Sequence, residues 1–249
     1  MVDWQNEYKI DRYTFTLMEV RDLIISMLVL GLIFSAALPN FQVEQSSPLV
    51  NFGIAILIVG PALLFHELAH KIMAQRFGCK AAYTLWPAGI IISILLTLLT
   101  AGRVLFAALG AVVISTAYST RLGYRFVVLS LNEMGRIAAV GPLTNILIAI
   151  IAYAFVWISP AIVGATITIN LIVALFNVIP FPPLDGAKIF WWSKMGWFGL
   201  LMAAIILLYL PAVIGVLLSI VLAIILMVVT FIIVQISAPA AYSSPLRMP

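Results

Sequence analysis

Both histidines of the chain, His66 and His70, stand four residues apart with Glu67 between them in the segment Phe65-His66-Glu67-Leu68-Ala69-His70. On an α-helix this spacing puts the two imidazoles on one face, about 6 Å apart by rise, where both can reach a single Zn²⁺ with the glutamate beside it. A helical His-Glu-x-x-His at this spacing reads as a metal-hydrolase centre. The surrounding stretch is apolar enough to span a membrane. A hydrolytic metal centre held within lipid is the chemistry these residues imply, and a divalent cation there would offset the roughly 2.5–3.5 kcal/mol that a carboxylate costs in mid-span.

Two histidines leave a catalytic zinc one protein ligand short. Outside the N-terminal tail and Glu67, the remaining acidic residues are Glu44, Glu133 and Asp185. Glu44 falls in a polar loop on the side of the membrane opposite the histidines. Glu133 sits in a charged turn beside Arg136 and reads as a solvated residue. Asp185 lies in Asn177-Val178-Ile179-Pro180-Phe181-Pro182-Pro183-Leu184-Asp185-Gly186, where three prolines break a helix at the end of a span. Broken backbone at membrane depth is tolerated where it is buried in protein or lines a cavity. Asp185 is therefore the favoured third ligand, with an ordinary Asp-Gly turn as the other reading of the same residues. Asn177 could donate to a developing oxyanion or fix a substrate strand, or it could cap the helix end. Asn145 and Asn170 read as residues that hydrogen-bond between helices.

The elements that must position these groups are membrane helices. Hydrophobic residues make up 64% of the 249 and charged residues 9%, against about 45–50% and 25% in soluble domains. The net charge of +4 does not point to nucleic acid, because the basic residues cluster at the ends of apolar runs, as membrane orientation requires. Cys79, alone of its kind, excludes an internal disulfide and reads as a small interfacial residue. The first 22 residues are too polar for a secretory leader, so the apolar run 23–38 is expected to be a retained span. Further spans are expected from Leu49 to about Met73, over Ile137–Ile158 and over Ala161–Ile179, the last two joined tightly at Ser159-Pro160. The stretch 196–235 is too long for one crossing of about 20 residues, and Pro211 is a plausible turn within it. Residues 85–118 fit either a membrane hairpin or a re-entrant sheet.

The expected fold class is an all-α polytopic membrane protein of about six transmembrane helices. A small membrane-associated β-sheet or an extra hairpin is possible between the second span and Gly141-Pro142-Leu143-Thr144-Asn145. Residues 1–22 would form a cytoplasmic N-terminal segment, 23–236 the transmembrane domain with its core over about 49–190, and 237–249 a C-terminal tail. With the N-terminus in the cytoplasm, every Lys and Arg except Arg103 falls on one side. That bias is what orientation by positive charge predicts, and it sets the histidines toward the cytoplasmic leaflet. Counting back from Arg76, His70 and His66 lie about 9 and 15 Å along the helix, buried but not central. Trp191, Trp192 and Trp197, close to Lys188 and Lys194, read as an interfacial aromatic belt.

Taken together, His66-Glu67-Leu68-Ala69-His70, the later Asn177-x-x-Pro180 with Leu184-Asp185-Gly186, and Gly141-Pro142-Leu143-Thr144-Asn145 between them resemble the motifs of the site-2 protease family of intramembrane zinc metalloproteases. The resemblance covers residues 49–80 and 137–190 well. Ala69 stands where the family often has glycine, and the apolar insert at 85–118 is longer than in minimal members. The family likeness implies one Zn²⁺ ligated by His66, His70 and Asp185, with Glu67 as general acid/base. It also implies cleavage of transmembrane protein substrates in or near the bilayer, in regulated release of membrane-held factors, at an integral membrane location such as the plasma membrane. A zinc transporter is the main alternative. Transport needs successive ligand sets along a path, and no histidine lies beyond the pair. A protease with a glutamate as third ligand would need Glu133.

Overall fold

A computed structural model describes residues 15–38, 47–103, 109–120 and 123–237. Glu44, the polar loop around it and the C-terminal tail beyond Ser237 lie outside the described residues. Helix α1 spans Leu17–Ala37 and begins at a capping box, in which Thr16 accepts from the Glu19 amide and the Glu19 carboxylate returns to the Thr16 amide. The first helix thus starts before the apolar run at 23 that composition marks, because its first turns carry Glu19 and Asp22, whose carboxylates find partners in the fold.

Helix α2 spans Pro48–Arg76, 29 residues and long enough to cross a bilayer. Ser47 caps it, and Pro61 lies inside it, where neighbouring helices make a missing backbone bond tolerable. Strand β1 (Lys80–Leu85) follows, then helix α3 (Pro87–Leu99) and strand β2 (Gly110–Ser115). β1 and β2 pair antiparallel, Lys80 opposite Ser115 and Leu85 opposite Gly110. Strands β3 (Ala117–Thr120) and β4 (Gly123–Phe126) form a second antiparallel ladder. The insert is therefore a β-ladder whose connection carries a helix of 13 residues, too short to span. A strand of six residues with no clear alternation has no periodicity by which sequence could tell it from the edge of a span.

The remaining elements are α4 (Leu131–Tyr153), α5 (Pro160–Val178), α6 (Asp185–Trp192), α7 (Lys194–Tyr209), α8 (Pro211–Ile214) and α9 (Val216–Ser237). Among the described residues, four helices, α2, α4, α5 and α9, are long and apolar enough to cross a membrane. The six expected are thus not all of one kind: α7 has 16 residues, and α1 opens with Glu19, Arg21 and Asp22. The break expected at Pro211 is present, with Gly215 at φ +86° just before α9, a conformation open to glycine at no steric cost.

The two larger apolar clusters among the described residues hold the bundle. Leu30, Phe34, Val59 and Ile169 join α1, α2 and α5, and Ile146, Leu171, Ile189 and Leu207 join α4, α5, α6 and α7. Alanines 138, 149, 174, 203, 204 and 223 are buried in the second cluster, and small side chains of this kind let helix backbones approach closely. A polar seam fixes α1 to the sheet. The Glu19 carboxylate accepts from Lys71 Nζ at 2.5 Å and from the Tyr83 amide at 3.1 Å, Asp22 accepts from the Leu85 amide at 3.2 Å, and Ser26 shares a hydrogen bond with the Tyr83 hydroxyl at 2.8 Å. Alternate amides of β1 are thereby occupied, which keeps its edge from pairing elsewhere. Lys71, one of the basic residues at the end of an apolar run, is 2% exposed and pairs with Glu19; that partner lies 52 positions away, so local charge counting could not find it.

Candidate metal centre

His66 and His70 lie on the α2 face that meets α4, and both are buried, as is Glu67. α4 is started by a capping box, Ser130 with Glu133, which occupies the Glu133 carboxylate at the helix end. Gly141 of α4 faces the two histidine nitrogens: a Cβ there would lie 2.3 Å from His70 Nε2 and 2.7 Å from His66 Nε2. Only a residue without a side chain leaves this space in front of the two nitrogens.

Asp185 arrives from the far side of the proline-rich break. α5 ends at Val178, the chain turns through a segment with a cis Pro182–Pro183 bond, and α6 begins at Asp185. Gly186 makes the return possible, since a Cβ there would meet the Val178 and Ile179 carbonyl oxygens at 2.1 and 2.3 Å. The Val178 carbonyl accepts from Trp197 Nε1 at 2.7 Å, which satisfies one of the groups left open where the helix stops.

The outcome is three donor atoms facing one point. Asp185 Oδ2 is 2.9 Å from His70 Nε2 and 3.3 Å from His66 Nε2, and the two Nε2 atoms are 3.1 Å apart. Tetrahedral ligands at about 2.0–2.1 Å from zinc stand about 3.3 Å from one another, so the triangle already has nearly the size of one face of a zinc site. The donor chemistry agrees. His70 Nδ1 lies 2.6 Å from the Ile137 carbonyl oxygen, which can only accept, so that nitrogen carries the proton and, in the neutral imidazole, Nε2 presents its lone pair. Lone pairs and a carboxylate oxygen converging at this distance repel unless a cation lies among them. These residues fit a divalent metal, and among the described residues they form the one group of His, Cys, Asp and Glu close enough together to hold one.

Glu67 is beside the triangle, and its Oε2 is buried with no hydrogen-bond partner. A buried carboxylate oxygen left open next to a metal face is suited to taking a proton from water. Lys188, on the first turn of α6, has its ammonium 3.7 Å from the other Asp185 oxygen. Sequence placed Lys188 only as a membrane-flanking charge; its position three residues after Asp185 on a helix was the available signal. Asn177 donates from Nδ2 to the Val173 carbonyl at 3.0 Å, one turn back in α5, and is not one of the three converging residues. Of the tryptophans, Trp191 is exposed, Trp192 packs over Gly135 and Trp197 is tied to Val178.

Residues 54–161 match peptidase family M50. Over 195 residues the chain is 33% identical to a protein of Methanocaldococcus jannaschii that bears the name "putative zinc metalloprotease", covering 74% of this chain and 90% of that one. No solved structure matches.

Proposed function

The chain belongs to peptidase family M50 and is a metalloprotease with apolar, membrane-crossing helices; on that premise we propose that it hydrolyses peptide bonds of membrane-spanning proteins within or near the bilayer. The observation that carries this reading is the convergence of His66, His70 and Asp185 beside the unpartnered oxygen of Glu67, on helices apolar enough to lie in lipid.

His66 and His70 through Nε2 and Asp185 through Oδ2 would hold the zinc. When bound, zinc supplies Lewis-acid polarisation of a carbonyl and makes water acidic enough to ionise near neutral pH. Glu67 takes the proton from water and returns it to the leaving amine. Gly141 keeps the metal face clear, and burial of the centre keeps bulk water from competing with the bound peptide. Asn177 would contact the substrate strand or the developing oxyanion, which requires its amide to exchange the Val173 carbonyl for the substrate. An intact substrate helix hides each carbonyl behind its own hydrogen bond, so peptides that unwind readily, with Gly, Pro or Asn near the cleaved bond, are the favoured substrates. The distribution of Lys and Arg supports a cytoplasmic N-terminus, with the centre toward the cytoplasmic side of the plasma membrane. Regulated release of a membrane-held factor is the physiological role this activity fits.

Metal analysis of detergent-purified protein, together with cleavage of a single-span model substrate, tests the reading. Wild type is expected to carry one zinc per chain and to cleave. Glu67→Gln is expected to keep the zinc and lose at least ~10²-fold in cleavage rate, and a Glu67→Gln protein that cleaves normally refutes the base assignment.

A further inference from the structure

We propose that Asn145 and Asn170 form a directional relay that sets the tautomer of His66, making them positioning residues for the metal centre. The inference rests on the metalloprotease reading above. Both asparagines are buried, at 0% and 1% exposure, within the membrane-length helices α4 and α5. The direction of each amide follows from its backbone partner. One end of the Asn170 side chain lies 2.9 Å from the Thr166 carbonyl oxygen, which can only accept, so that end is the NH₂ group. The other end is then Oδ1, and it faces Asn145 at 3.0 Å. The end of Asn145 that meets Asn170 Oδ1 also meets the Ala62 carbonyl oxygen at 3.1 Å. Two acceptors there require the NH₂ of Asn145. Its Oδ1 therefore points the opposite way, 2.6 Å from His66 Nδ1.

An acceptor held in that position makes His66 Nδ1 the protonated nitrogen. Nε2 is then left with its lone pair toward His70 and Asp185, as a zinc ligand requires. His70 obtains the same result from a backbone carbonyl, that of Ile137. For His66 the information comes from α5, through α4, to α2, and it is carried by amides rather than by the carboxylate often found behind a ligating histidine. A neutral relay adds no further negative charge to a centre that already buries Glu67 and Asp185.

The chain has two histidines, so ¹⁵N labelling of histidine alone reports every imidazole nitrogen in the protein. In zinc-loaded wild type, both Nδ1 atoms are expected to carry a proton protected from exchange, and both Nε2 atoms to show the shift of a metal-bound nitrogen. Asn170→Leu, which leaves Asn145 without one of its acceptors, is expected to shift the His66 Nδ1–H signal and speed its exchange while the His70 signal stays in place. Asn145→Leu is expected to weaken zinc binding, measured by chelator competition, by about 10–100-fold. Proton-free Nδ1 on His66 in wild type overturns the relay without need of any variant. Unchanged zinc affinity and unchanged His66 signals in both variants overturn it too, leaving the metal centre standing. Wild type that takes up no zinc overturns the metal centre and the relay together.

Discussion

Gly141→Ala places a methyl group in the space where the metal ligands converge. The added carbon would lie 2.3 Å from His70 Nε2 and 2.7 Å from His66 Nε2, whereas non-bonded carbon and nitrogen need about 3.4 Å, close to the 3.5–4.0 Å optimum for heavy atoms. One ring must retreat by about 1 Å and the other by somewhat less, while a zinc–nitrogen bond of about 2.0–2.1 Å tolerates only about ±0.2 Å. Side-chain ends often yield cheaply, but these rings are tethered from behind, His70 to Ile137 and His66 to Asn145, each at 2.6 Å. Retreat therefore breaks a buried hydrogen bond as well as the ligand geometry. Zinc affinity is expected to fall by at least ~100-fold, the upper end of what disturbing a ligand's support causes. The assay is chelator competition on detergent-purified protein, with thermal unfolding alongside to show that the bundle persists. Gly53→Ala and Gly164→Ala are the controls. Both glycines lie in spans with nothing within 4 Å of the added carbon, so these variants are expected to keep zinc and activity and to gain up to ~1 kcal/mol in helix stability. Wild-type zinc affinity in Gly141→Ala would show that the donor triangle is not the metal face.

Asp185→Ala should lose zinc, while Glu133→Ala should keep it and lose ~1 kcal/mol of helix-start stability; zinc content and melting temperature separate the two, and the reverse result would move the third ligand to Glu133. Lys71→Met leaves the Glu19 carboxylate buried without its cation and is expected to cost ~3–5 kcal/mol, read by denaturation in detergent. The double variant Glu19→Leu with Lys71→Met should recover part of that loss, and strictly additive effects would show that the pair is not coupled. Trp197→Phe removes the donor to the Val178 carbonyl at the break before Asp185 and is expected to cost ~1 kcal/mol, with weaker zinc binding as its functional sign; unchanged affinity would mean that Gly186 packing alone docks α6.

Much of the candidate site was legible because it rests on local spacing. His66, Glu67 and His70 share one helix, and a repeat of four residues determines which side chains lie side by side before any other element is placed. The apolar runs around them likewise state their length and therefore their capacity to cross lipid. Asp185 was within reach for a different reason: few acidic residues were left, and the prolines before it exclude an uninterrupted helix. Partnerships between distant segments had no such local mark. Nothing about Lys71 in its own segment announces Glu19, and nothing in Asn145 reveals that one end faces His66 while the other faces Asn170 and Ala62. The ladder between β1 and β2 was legible only as one of two readings, a re-entrant sheet or a membrane hairpin, because short apolar strands and apolar helix ends have the same composition. Sequence alone singled out the candidate reacting groups and the apolar helices that carry them. The tertiary structure decided which imidazole nitrogens converge with Asp185 on one candidate metal position, since a proton's place on an imidazole depends on the acceptor that packing brings against its other nitrogen.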